Sequence, residues 1–245
     1  MGKRKKLLSG KCVHCLGVFK ELTRDHVFPQ SWYPETTKSN QYKWQVPSCK
    51  SCNAKYGKLE DDLLIRLSIC LEPSDPNCLG LFEKGMRAID PQFGKYEKDR
   101  KCRQAKKEKL LREMRIGEAI LTKHLYPNFG LYPTIPIHEQ MSVSIHKDSI
   151  QKLAEKIVRG IFYIEDHLFV EPPYKIDSFV LDDISAQPVM EALRKFGSLY
   201  AREPGIVVHR AVIPEEPLSS LFAVEIWGRF KVYAIVLSQS SIRSL

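Results

Sequence analysis

The 245-residue chain has no apolar run near the roughly 20 residues a membrane-spanning helix needs. It also offers no export-signal core, because the basic run Lys3-Arg4-Lys5-Lys6 is followed by only Leu7-Leu8. The cysteines are seven, an odd number, which argues against a framework of paired disulfides. Acidic residues are the minority charge, with 29 Asp and Glu against 38 Lys and Arg. These absences point away from membrane proteins and disulfide-stapled secreted domains. They lead to the expectation of a cytoplasmic protein whose cysteines face a reducing solvent.

The net charge of +9 is unevenly spread. Residues 1–62 carry twelve Lys and Arg against six Asp and Glu, and residues 84–123 carry thirteen against six. Residues 140–245 carry twelve against thirteen. The positive charge therefore lies in the first half, a distribution that suits a polyanionic partner. With hydrophobic residues at 43%, the chain can fill one large core or two modest ones.

Four of the cysteines stand in two tight pairs, Cys12-Val-His-Cys15 and Cys49-Lys-Ser-Cys52. Each Cys-x-x-Cys turn presents two thiolates on one side of a knuckle, and two knuckles make a closed tetrahedral site suited to Zn²⁺. Cys70, Cys78 and Cys102 read as ordinary core or surface residues, and His14, inside the first knuckle, as exposed. Between the knuckles lies Asp25-His26-Val-Phe-Pro29, and Asn53 follows the last cysteine directly. Asp25 offers a hard oxygen ligand, and His26 a nitrogen that titrates near neutrality.

These elements, in this order, resemble the HNH endonucleases, the ββα-metal nucleases, whose layout is a zinc knuckle, Asp/Glu-His-x-x-Pro, then a second knuckle running into Asn or His. The resemblance covers about a quarter of the chain. It implies that His26 is the general base and that Asp25 and Asn53 hold a catalytic divalent cation, Mg²⁺ with Mn²⁺ as a substitute, suited to hard oxygen ligands. It implies that the zinc on Cys12, Cys15, Cys49 and Cys52 is structural. The expected activity is hydrolysis of phosphodiester bonds in nucleic acid, double-stranded DNA foremost, in the setting of restriction or anti-phage defence. One position departs from the pattern. Trp44 stands where the family carries an Asn five residues before the third cysteine. The role of that Asn, orienting His26, would pass to Gln45, Asn40 or a backbone carbonyl.

Beyond the motif, residues 53–70 predict a helix, with Leu59, Leu63, Leu64 and Leu67 at near-helical spacing. Asn53 then reads either as a metal ligand or as that helix's cap, and Glu60 either as a surface acid or as one that approaches the metal from the next helical turns. Residues 72–80 are rich in turn formers. Residues 95–125 read as one long charged helix, either a solvated face or a phosphate-contacting arm. Lys55 and Lys58 on the first helix and Lys106, Lys107 and Lys109 on the second are the candidate nucleic-acid contacts.

Pro127, Pro133 and Pro136 mark a linker. After it, helices are expected over 147–160 and 186–200. Strands are expected at 179–181, 206–208, 221–227 and 230–237, with Gly228-Arg229 turning the last pair. Glu165-Asp166-His167 looks ligand-like but reads as a turn. The overall expectation is an α+β chain in three parts. Residues 1–72 form the zinc-stabilised ββα-metal module. Residues 73–137 form a basic helical extension and linker. Residues 138–245 form an α+β domain with an antiparallel sheet, which is a candidate for homo-oligomerisation. Two further readings stay open: a non-catalytic zinc module that binds nucleic acid, and a C-terminal domain that controls the N-terminal one.

Overall fold

In the computed structural model, residues 9–121, 125–127, 135–202 and 205–238 are described. The N-terminal basic run Lys3–Lys6 and Pro133 of the expected linker lie outside them. Among the described residues no helix is long and apolar enough to cross a membrane.

The chain begins with a two-stranded ribbon, β1 (Gly10–Lys11) and β2 (Val18–Phe19), closed over the first cysteine turn. A second ribbon follows, β3 (Thr23–His26) and β4 (Gln45–Ser48), antiparallel with Asp25 opposite Val46 and His26 opposite Gln45. It runs straight into α1 (Lys50–Ser68). The helix starts three residues earlier than its apolar spacing suggests, because Cys49 serves as N-cap, its sulfur accepting from the Cys52 N–H. Asn53 is therefore the fourth helical residue and not the cap. Leu63, Leu64 and Leu67 of α1 are buried as their spacing implies.

After α2 (Leu81–Ile89), α3 (Glu97–Glu113) carries the dense charge. It does not reach residue 125. Met114–Ile116 form β5, which pairs with β6 (Met141–Val143), and Gly117 then takes φ 59°, a left-handed turn that ends helical continuation.

The C-terminal half is a five-stranded antiparallel sheet in the order β7 (Tyr174–Phe179), β11 (Phe230–Ser238), β10 (Glu216–Ile226), β9 (Ile206–Ile213), β8 (Gly197–Arg202). Side chains alternate across it, so each face meets a different neighbour. One face, with Ala223, Tyr233 and Ala211, packs on α5 (Asp183–Phe196). The helix is capped by Asp182, and it ends where β8 begins, four residues short of the expected limit. The other face, with Val208, Phe222, Val224 and Val232, meets α4 (Lys147–Ile161) and the N-terminal module. The two ligand-like acids after α4 sit in a π-turn, with Asp166 paired to Arg210 at 2.6 Å, and His167 closes the turn with φ 57°.

The chain has a mixed α and β architecture, and its largest core draws on both halves of the sequence. Val27, Trp32, Trp44, Leu63 and Leu67 from the first 72 residues join Ile157, Ile161, Phe222, Trp227 and Val232 in one buried cluster. α4 lies between α1 and the sheet, touching both. Gly160 makes that close approach feasible, since a Cβ there would lie 2.7 Å from the Val27 side chain.

Candidate metal centre and its neighbours

The four expected cysteines converge. The sulfurs of Cys12, Cys15, Cys49 and Cys52 all lie within 4.8 Å of one another, and Cys15 and Cys49 are 3.9 Å apart. Zn–S bonds of about 2.3 Å in a tetrahedron place sulfurs roughly 3.8 Å apart, so the donors fit that ion. Backbone N–H groups support the thiolates, with Cys49 N donating to Cys12 Sγ at 3.3 Å and Cys52 N to Cys49 Sγ at 3.4 Å. Burial pushes the Cys12 thiol up, but N–H groups of Cys15, Cys49 and His14 outweigh it and bring it down to about 7. Burial raises the thiols of Cys15 and Cys52. A metal that deprotonates all four would thus release protons and gain affinity with pH.

Strand alternation sends Asp25 and His26 of β3 to opposite faces. Asp25 points inward and is only 5% exposed. Its Oδ2 lies 2.9 Å from His14 Nε2, and its Oδ1 accepts from Lys156 Nζ at 3.1 Å. Lys156 comes from α4 and is fully buried, and its ammonium also contacts Glu60 of α1 directly. The ring of Tyr56 lies 4.6 Å from that of His14 and 5.6 Å from the Lys156 ammonium. Burial raises the Asp25 carboxyl, but His14 and Lys156 prevail and hold it below the usual carboxylate range. Burial lowers His14 despite Asp25. Burial also lifts Glu60 to about 7, against the pull of Lys156.

Two expectations fall here. His14 is buried, because its ring packs on Tyr56 and its Nε2 serves Asp25. Glu60 is no surface acid, because its side chain is only 14% exposed and turns in to Lys156. Spacing could not announce the burial of Glu60, since the partner that draws it in lies 96 positions along the chain.

His26 faces the other way and is half-buried. The Gln45 amide nitrogen lies 2.9 Å from His26 Nε2, across the β3–β4 pair. Trp44, at the position of the missing Asn, is buried between the rings of Phe28 and Tyr200, each 6.2 Å away. Asn53 Nδ2 donates to Thr23 Oγ1 at 2.8 Å and to the Arg24 carbonyl at 3.2 Å, tying α1 to β3.

Among the described residues, the four cysteines are the only His, Cys, Asp or Glu group close enough to hold a metal with three or more ligands. Asp25 has both oxygens engaged by His14 and Lys156. As it stands, this arrangement does not fit a magnesium ion on Asp25 and Asn53.

The basic candidates divide. Lys55, Lys58 and Lys107 are exposed. Lys106 contacts Asp61 directly, and Lys109 lies 3.4 Å from Asp62, so α3 is laced to α1 by these ion pairs. No family model, curated protein or solved structure matches the chain.

Proposed function

We propose that the chain is an HNH-type endonuclease that hydrolyses phosphodiester bonds, with duplex DNA as its substrate. The observation that carries the reading is the order strand, strand, helix over residues 23–68, with one cysteine turn before β3 and the other entering α1. His26 stands on that ribbon beside Gln45. Zinc on the four cysteines would hold this small ribbon–helix unit together.

His26 serves as general base. An amide can present nitrogen or oxygen at nearly the same heavy-atom positions. With the Gln45 oxygen accepting from His26 Nε2–H, the lone pair sits on Nδ1, which takes the proton from the attacking water. Arg24 is exposed on the same face of β3 as His26, and Lys55 and Lys58 are exposed on α1. These cations would hold the phosphate backbone. A divalent ion, Mg²⁺ or Mn²⁺, would supply charge neutralisation at the phosphate once bound. With Asp25 engaged as it is, positioning the phosphate and moving the proton fall to His26, Gln45 and the basic residues.

The engagement of Asp25 also favours a second reading, a zinc module that binds nucleic acid without cutting it. Cleavage assays decide between them. Zinc-loaded protein is offered plasmid, linear duplex, single-stranded DNA and RNA, with Mg²⁺ or with chelator. Metal-dependent nicking of any of these supports the enzyme. Binding without cleavage, with Mn²⁺ as well as Mg²⁺, supports the second reading.

A further inference from the structure

We propose that Lys156 is a built-in competitor for the divalent cation, its ammonium occupying a two-carboxylate site formed by Asp25 and Glu60 that would otherwise take the metal. This deepens the nuclease reading, since Asp25 is the expected metal ligand there.

The geometry comes from three separate elements. Asp25 is on β3, Glu60 on α1 and Lys156 on α4. One Nζ touches both carboxylates, so they converge on a single cationic point. Lys156 has no exposed surface, and Asp25 and Glu60 are mostly buried. Two buried, ionised carboxylates without a cation between them would be strongly unfavourable, so the ionised site requires one. An ammonium and a divalent ion can both meet that need. Oxygen ligands sit about 2.0–2.2 Å from a small divalent ion, and Asp25 Oδ1 lies 3.1 Å from the ammonium, so the exchange asks Asp25 to close in by about 1 Å.

His14 adds a further sign that the site is set up around charge. Its side chain is buried, its Nε2 lies 2.9 Å from Asp25 Oδ2, and among the described residues its Nδ1 has no hydrogen-bond partner. Asp25 is thus held from behind by His14 while its other oxygen faces the cation.

The position of Lys156 is set by the C-terminal half. Gly160 lies one turn further along α4 and lets the helix backbone approach Val27, which follows β3 closely. The opposite side of α4 packs on β7 and β11.

Mn²⁺ binding to zinc-loaded full-length protein, read by loss of the free-ion electron paramagnetic resonance signal, tests this without nucleic acid. Lys156→Met is expected to gain one Mn²⁺ site at least tenfold tighter than any in the wild type. Adding Glu60→Gln should abolish that gain, and Lys156→Arg, which keeps the cation, should show none. Lys156→Met that stays folded and binds no more Mn²⁺ than the wild type overturns the proposal. Where Lys156→Met is unfolded, Mn²⁺ should restore its folding by replacing the ammonium, and failure to do so overturns it as well. A chain that gains Mn²⁺ but cuts nothing retains this site and loses the nuclease reading. A wild type that cuts, beside a Lys156→Met that gains no Mn²⁺, does the reverse.

Discussion

The Trp227 indole N–H donates to the Trp32 carbonyl at 2.9 Å, and the two rings lie 5.1 Å apart. The residues are 195 positions apart. Trp32 in turn donates from its own indole to the Glu60 carbonyl of α1 at 3.2 Å. Trp227 occupies the β10–β11 turn with φ 54°, a conformation costly for a bulky residue, held by this packing. The pair ties the tip of the C-terminal hairpin to the base of the cysteine-bearing module.

Trp227→Ala should therefore destabilise the whole chain, by about 3–5 kcal/mol for loss of a buried Trp. Relief of the turn strain would offset only a little of that. Far-ultraviolet circular dichroism follows the sheet, and visible absorption of Co²⁺ substituted for zinc follows the cysteine site. In the wild type both should melt in one transition. A cysteine site that survives after the sheet has melted would show two independent units and refute the shared core.

The metal prediction concerns Cys49. The purified chain should carry about one zinc. Cys49 has two tasks, as a donor to the metal and as N-cap of α1. Serine also caps helices well, so Cys49→Ser keeps the cap and removes the ligand. Hydrogen exchange should then speed up first over residues 11–68, and a chelator applied to the wild type should reproduce the pattern. A folded, freshly purified sample that contains no metal would sink this assignment.

Much of this arrangement is legible in the sequence. The paired cysteines, the leucine spacing of α1 and the apolar stripe of α4 all depend on local pattern, and each appears near its expected place. The Gly228-Arg229 turn is legible for the same reason. The contacts that decide the chemistry depend on distant partners. Lys156 reaches Asp25 across 131 positions, and its pattern on α4 is that of any polar residue between apolar ones. The end of α3 is hidden too, because Met114–Ile116 leave the helix only to pair with Met141–Val143. Gln45 as the partner of His26 is one of three options in the sequence, and strand register is what selects it.

The basic residues should separate by helix. Lys55→Glu with Lys58→Glu should weaken duplex binding and lower the salt slope by about 0.9 for each phosphate that is no longer neutralised. Lys106→Glu with Lys109→Glu would place new carboxylates against Asp61 and Asp62. That pair should lower the melting temperature, with less effect on the salt slope than the α1 pair. Fluorescence anisotropy across a salt series and a thermal melt measure both. A salt slope that responds only to the α3 substitutions would make that helix the nucleic-acid arm.

The strongest test is at His26. A general base acts on the water and adds little to ground-state binding, so His26→Ala should lower the cleavage rate by about 10²–10⁴-fold. Zinc content, melting temperature and duplex affinity should stay near wild type, because His26 is half-buried on the face away from the Asp25 cluster. Wild-type rate should rise with pH as imidazole loses its proton, then level off. Gln45 holds the ring without touching the water, so Gln45→Ala should shift the midpoint of that rise and lower the plateau by less than His26→Ala does. Trp44→Ala should lower stability and leave the midpoint in place, because Trp44 packs on Phe28 and Tyr200. A His26→Ala protein that cuts duplex DNA at the wild-type rate would place the reaction elsewhere in the chain, and with it the role assigned to Gln45 would fall.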